Sequence, residues 1–104
     1  MSILEDEILA KASEVKEKIL KFMEEAKHRT ISASSGGGMV TATVNLRMEL
    51  VNLVMEKEVV NPDDMEMLSD LVVSAVNEAL SEAQATVTSE LHKISGSNYA
   101  GPWS

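Results

Sequence analysis

Apolar residues recur along the first quarter of the chain at a helical spacing. Ile8, Ala12, Val15, Ile19, Phe22 and Ala26 fall at alternating steps of four and three, a sustained heptad seam. Neither glycine nor proline interrupts it, so the spacing predicts a helix over about residues 4–28. The period then changes. A short extended stretch is expected over about 29–34. Beyond it Val40, Ala42 and Val44 alternate with Thr41 and Thr43, as in a strand with one buried face. Between the two stretches, Gly36, Gly37 and Gly38 permit positive φ and close backbone approach, which a tight joint needs.

The next run is written differently. By simple alternation Met48, Leu50 and Val54 share one face, and Val51, Leu53 and Met55 share the other. A strand with one wet face does not carry apolar residues on both sides. The expectation is that a second copy of the chain covers it through a two-fold contact, with Leu50, Val51, Leu53, Val54 and Met55 at the interface. A second helix follows. Asn61 is read as its N-cap and Pro62 as its first residue, with Asp63 and Asp64 near the positive end of the dipole. Leu68, Leu71, Val72, Ala75, Val76, Ala79 and Ala83 form its apolar stripe, which Val87, Leu91 and Ile94 extend to a stop at Gly96. The β-branched patch at Thr86–Ser89 leaves a bend there open. Residues 1–95 are expected to form one domain and 96–104 a flexible tail.

Composition narrows the function classes. A chain of 104 residues with three aromatics has a small aliphatic core, for which oligomerisation is a common remedy. The absence of cysteine excludes disulfides and thiolate chemistry and fits a cytoplasmic setting. No apolar run approaches membrane-spanning length, and the acidic start does not resemble a signal peptide. The formal net charge of −8 is distributed unevenly. From Ile8 to Arg29 six bases face four acids, whereas from Glu56 onward nine acids face two bases. On the first helix Lys11 and Lys18 flank one edge of the seam, with Lys21 further round, and Lys16 and Lys27 flank the other. The plainer reading is that their stems cover the seam's margins and solvate the helix.

Catalytic or ligand-binding constellations are not evident. Gly38 leads into Met39 and Val40 rather than into the Lys-Ser/Thr of a phosphate loop. His28 and His92 stand alone near helix ends, without metal-ligand spacing. The acid pairs are read as cap and surface charges, and the seven methionines as core filling. No enzyme activity, metal, cofactor, small-molecule substrate or membrane partner is expected.

The run SASSGGGMVTATVN, followed by NPDDMEMLSDLVVSAVNEAL, resembles the bacterial YbaB/EbfC nucleoid-associated proteins. Gly36 to Val40, Asn45, Val59, Asp63, Asp64, Met67 to Asp70, Asn77 and Ala79 fall at matching intervals, and the likeness runs from about Glu14 to Leu91. There are departures. Leu46 follows Asn45 where the family often has glycine, Met48 stands where some members have a second glycine, and the third strand lacks their Lys or Arg. The resemblance implies an α+β fold, two-layer α-β-β-β-α, with a three-stranded antiparallel sheet, dimerisation through the sheet and long projecting helices. It implies a cytoplasmic, nucleoid-associated protein that binds double-stranded DNA with little sequence preference and affects nucleoid organisation and gene expression. The expected DNA contacts are Lys11, Lys18 and Lys21, then Lys16, Lys27 and Arg29, with Arg47 nearest the sheet. The alternative is a dimeric scaffold module whose helical arms clasp a protein.

Overall fold

Helix α1 occupies Ile3–Ala26, followed by strands β1 (Thr30–Ser35), β2 (Val40–Asn45) and β3 (Leu50–Met55) and by helix α2 (Met65–Ile94). The structure is a computed structural model and describes residues 3–96. The tail expected over 96–104 lies, beyond Gly96, outside the described residues. The α-β-β-β-α order and the antiparallel sheet are as expected, with β2 at the centre. A single 3-10 turn at Lys57–Val59, absent from the sequence reading, buries Val59.

The core is a sandwich of small residues. Ala75, Ala79 and Ala83 of α2 meet Val40, Ala42 and Val44 of β2, all fully buried. Alanine at every fourth helical position allows the backbone of α2 to approach the sheet closely, and β-branched valine fills the pleat beneath it. From the flank, Ile31 and Ala33 of β1 pack against this core. Helix α2 lies mainly over β1 and β2, so β3 stands outside its footprint.

The amino-terminal cap of α2 requires a correction. Asp64, not Asn61, precedes the helix, and its Oδ1 accepts from the Met67 amide at 3.2 Å. Asn61 organises the turn before it, its Oδ1 accepting from the Asp63 amide at 3.0 Å. Two cap-forming residues compete within four positions, and Asp64 is the one whose carboxylate reaches a third-residue amide. The helix continues unbroken through Thr86–Ser89, where the Thr86 hydroxyl donates to the Glu82 carbonyl at 3.0 Å. Its 30 residues span about 45 Å at 1.5 Å each.

The seam of α1 is buried along only part of its length. Phe22 and Ala26 are buried and Val15 and Ile19 half-buried, whereas Ile8 and Ala12 are exposed. The carbonyl of Ala26 accepts from the Leu46 amide at 3.0 Å, which fixes the end of α1 to the turn between β2 and β3. The opposite end therefore projects as an arm. The chain's radius of gyration is 19.8 Å, against about 13 Å for a compact domain of 100 residues.

Candidate nucleic-acid interface

The sheet places its two outer strands in unlike settings. On its outward face, the Ser32 hydroxyl lies 2.6 Å from that of Thr43, and Ser34 lies 2.7 Å from Thr41. The outward face of β1 and β2 is thus polar and internally satisfied. Strand β3 pairs regularly with β2 from Met55 opposite Val40 to Asn52 opposite Thr43, after which Leu50 pairs with Val44. This irregularity leaves Val51 as an extra residue. A bulge of this kind cancels strict alternation, so Leu50 and Val54 do not share a face as expected. Leu50 belongs with Val44, while Val54 is opposite Thr41 on the outward face. Leu50, Val51, Val54 and Met55 are each 41–51% exposed. Leu53 is half-buried against the chain's own core.

The turn joining β2 to β3 is organised by one buried side chain. The Oδ1 of Asn45 accepts from the amides of Arg47 (2.9 Å) and Glu49 (3.1 Å), and its Nδ2 donates to the Glu49 carboxylate at 2.8 Å. A longer bond from Nδ2 reaches the Lys27 carbonyl at 3.4 Å. Met48 takes φ 64° in this turn, the conformation that glycine adopts without strain. At the other hairpin, Gly36, Gly37 and Gly38 all have positive φ. A Cβ on Gly36 would also stand 2.9 Å from a Leu71 methyl. Geometry therefore accounts for these glycines.

The cations expected at a DNA surface are all exposed. Lys11, Lys16, Lys18 and Lys21 are strung along the outer part of α1, with Lys18 3.4 Å from Glu14 one turn away. Such an exposed pair contributes little and yields to a competing phosphate. Arg29 lies 3.5 Å from Glu90 of α2, and Lys93 lies 3.8 Å from the same carboxylate. Arg29 is thus the most engaged of the set. Lys27 and Arg47 both line an open groove between α1 and α2 that sequence reasoning missed. Its volume is 1110 Å³, and Ile19, Phe22, Leu46, Val87 and Leu91 line it. Leu46, 5% exposed, had no legible role because the turn that buries it depends on the Asn45 side chain.

A second correction concerns methionine. Met23, Met39, Met48, Met55, Met65 and Met67 are all 36–58% exposed, and none fills the core. The centre of the contact between α2 and β2 is taken by alanine and valine, and larger core positions by Phe22, Leu46 and Leu68. Among the described residues no group of three His, Asp or Glu side chains could hold a metal ion. No described helix is long and apolar enough to cross a membrane.

Comparison with known proteins adds family evidence to this geometry. Residues 4–98 match the model of the YbaB/EbfC DNA-binding family. A nucleoid-associated protein of Moorella thermoacetica is 49% identical over 78 residues, 75% of each chain. One from Thermodesulfovibrio yellowstonii is also 49% identical, over 89 residues that make up 86% of this chain and 78% of that one. A crystal structure of an uncharacterized Helicobacter pylori protein superposes with a TM-score of 0.62 at 26% identity, covering 71% of this chain and 86% of the other.

Proposed function

The chain belongs to the YbaB/EbfC DNA-binding family, and from that premise we propose that it binds duplex DNA as a homodimer with little sequence specificity. Its setting in this reading is the cytoplasm and the nucleoid, where it affects nucleoid organisation and gene expression. The family match over residues 4–98 is the observation that carries this reading. The exposure of Lys11, Lys16, Lys18 and Lys21 along one projecting arm supports it.

The homodimer is supported by β3. Leu50, Val51, Asn52, Leu53, Val54 and Met55 form an outer strand with neither charge nor proline. Soluble monomers blunt such an edge with lysine, proline or a covering element. A second β3, antiparallel across a two-fold axis, satisfies the free backbone groups and covers the apolar side chains.

Two chains together carry twice −8, so long-range attraction to phosphate is absent and binding depends on local contact. Screening limits each charge to a reach of about 10 Å at 0.1 M salt, within which the α1 lysines face phosphate. Lys11, Lys18 and Lys21 form the preferred contact set, followed by Lys16, Lys27 and Arg47, with Arg29 held back by Glu90. If each arm neutralises about two phosphates, the slope of log K against log salt is roughly −3.6. In gel-shift titrations, Lys18→Ala with Lys21→Ala should weaken binding equally on unrelated duplexes and flatten that slope, leaving the dimer intact. Unchanged affinity and slope would remove α1 from the DNA surface. That outcome would favour a protein-clasping module, a reading the apolar groove and the acidic net charge also accommodate.

A further inference from the structure

The groove between α1 and α2 is apolar, open and uncovered by any described element. Phe22 and Leu46 are its buried members, Val87 and Leu91 line it from α2, and Leu20 and Met23 of α1 stand 53 and 58% exposed. Its 1110 Å³ exceeds the range of about 300–1,000 Å³ that encloses a drug-sized molecule. Room for several side chains is therefore left between two helices that meet over a short stretch.

Charge excludes most occupants. Glu24 and Glu25 line the groove together with Lys27, His28 and Arg47, so a charged segment of either sign gains at one group and loses at another. Both helices approach their carboxyl-terminal turns here, where the free main-chain groups are carbonyls. With the two glutamates, these carbonyls favour an occupant that brings apolar bulk and hydrogen-bond donors but no charge.

One segment of the chain has that composition and begins beside the groove. Residues 97–104, Ser-Asn-Tyr-Ala-Gly-Pro-Trp-Ser, follow the last described residue and carry no Asp, Glu, Lys or Arg. They hold two of the chain's three aromatic residues, Tyr99 and Trp103, and the third, Phe22, lines the groove. A buried tyrosine or tryptophan needs apolar surroundings for its ring and an acceptor for its O–H or N–H. The groove offers both.

The path is short. Leu91 lies five residues before Gly96, about 7.5 Å back along α2, and Val87 lies about 13.5 Å back. Gly96 has φ 66°, a left-handed conformation that ends the helix and turns the chain off its axis. At about 3.3 Å for each extended residue, Tyr99 reaches about 10 Å from Gly96 and Trp103 about 23 Å. Leu91 and Val87 of the same chain are within that reach.

We propose that residues 97–104 fold back from Gly96 and seat Tyr99 and Trp103 in the groove of their own chain. The rings lie over Phe22, Leu46 and Leu91, and Glu24 and Glu25 accept from the indole N–H and the phenol. So seated, the segment is a strap from α2 to α1 rather than the flexible tail its turn-rich sequence suggests, and it braces α1 at its root.

Trp103 is the chain's single tryptophan, so its fluorescence reports on this segment alone. In the full chain its emission should lie at shorter wavelength than in a peptide of residues 97–104. Its acrylamide quenching constant should be about tenfold lower, as for a segment docked about nine-tenths of the time. Leu20→Glu with Met23→Glu, at exposed helical positions, should return both readings to the peptide's values with circular dichroism unchanged. Leu4→Glu with Leu9→Glu, also exposed but at the far end of α1, should leave them in place. Cysteine is absent from the chain, so Met23→Cys with Ser104→Cys forms a defined pair. Mild oxidation should close that pair within one chain, at several times the yield of Ser89→Cys with Ser104→Cys. Ser89 is exposed on the opposite side of α2 from Val87 and Leu91. Peptide-like fluorescence in the full chain overturns the proposal, as does indifference to the Leu20 and Met23 changes in folded protein. So does a disulfide yield no higher than the Ser89 control. A disulfide that joins two chains instead places the segment in another copy's groove and overturns the contact within one chain.

Discussion

Strand β2 belongs to two hairpins that are held in different ways. The β1–β2 hairpin turns on three glycines, keeps an unbroken register of six pairs and lies under α2, with its outward face closed by hydroxyl pairs. The β2–β3 hairpin turns without glycine, carries a register shift between Thr43 and Val44, and leaves its outer strand beyond α2. The first leaves no apolar side chain of its sheet face uncovered, although β1 is an edge strand as β3 is. In the second, the turn is satisfied locally by Asn45, while the strand it launches still exposes apolar side chains and an open backbone edge. Local hydrogen bonding and long-range burial are therefore separate requirements, and β3 meets only the first.

The comparison breaks most directly at Leu53, where β3 does touch the core. Leu53→Asp places an unpaired carboxylate against Ala42 and should cost about 3–5 kcal/mol, read as loss of the folded dimer in urea titration. Val54→Asp, on the outward face, should separate the chains in sedimentation while the helical circular dichroism is retained. A folded, stable monomer for the unsubstituted protein at micromolar concentration would defeat the dimer reading.

Asn45→Ala should come next, at about 1–3 kcal/mol, because it strips the β2–β3 turn of its organising acceptor and leaves the part-buried Arg47 and Glu49 amide groups without it. Urea midpoints of this variant and of Gly37→Val compare the two turns. Gly37→Val forces a β-branched residue to φ 68° and should cost about 1–2 kcal/mol, with DNA binding lost only in proportion to folded dimer. Normal stability with binding lost would make the glycine turn a contact site.

The smallest effect has the opposite sign. Met48→Gly relieves a side chain held at φ 64° but loosens the unfolded chain, for a net gain of about 0.5–1 kcal/mol. A lower thermal midpoint would show that the exposed Met48 side chain makes contacts worth more than the strain it carries.

The sequence allowed the elements to be placed because period and punctuation are local properties. The heptad seam located α1, the valine alternation located β2, and the glycines located the first turn. What stayed hidden depended on tertiary geometry. A heptad marks a face but not what lies against it, so Ile8 and Phe22 looked equivalent although only Phe22 is buried. Period-two counting could not detect the extra residue at Val51. The cap was misplaced because Asn61 and Asp64 are both competent, and the turn decides between them. Methionine was assigned to the core by residue type, whereas the buried positions are held by alanine, valine, leucine and Phe22. Of the candidate site, the cations were recognisable by charge, but Arg29's partner Glu90 is 61 positions away and gave no local sign.

The partial burial of α1 also has a mechanical consequence. The helix is a cantilever, clamped near Phe22 and Ala26 and free toward Leu4. Eighteen residues of free length give a lever of about 27 Å, so a rotation of about 10° at the clamp moves the tip by about 5 Å. In the proposed dimer, repacking around one phenylalanine would change the span between two arms while the sheet stays still. A jaw with compliance at its root suits an object whose width varies along its length, as the grooves of duplex DNA do.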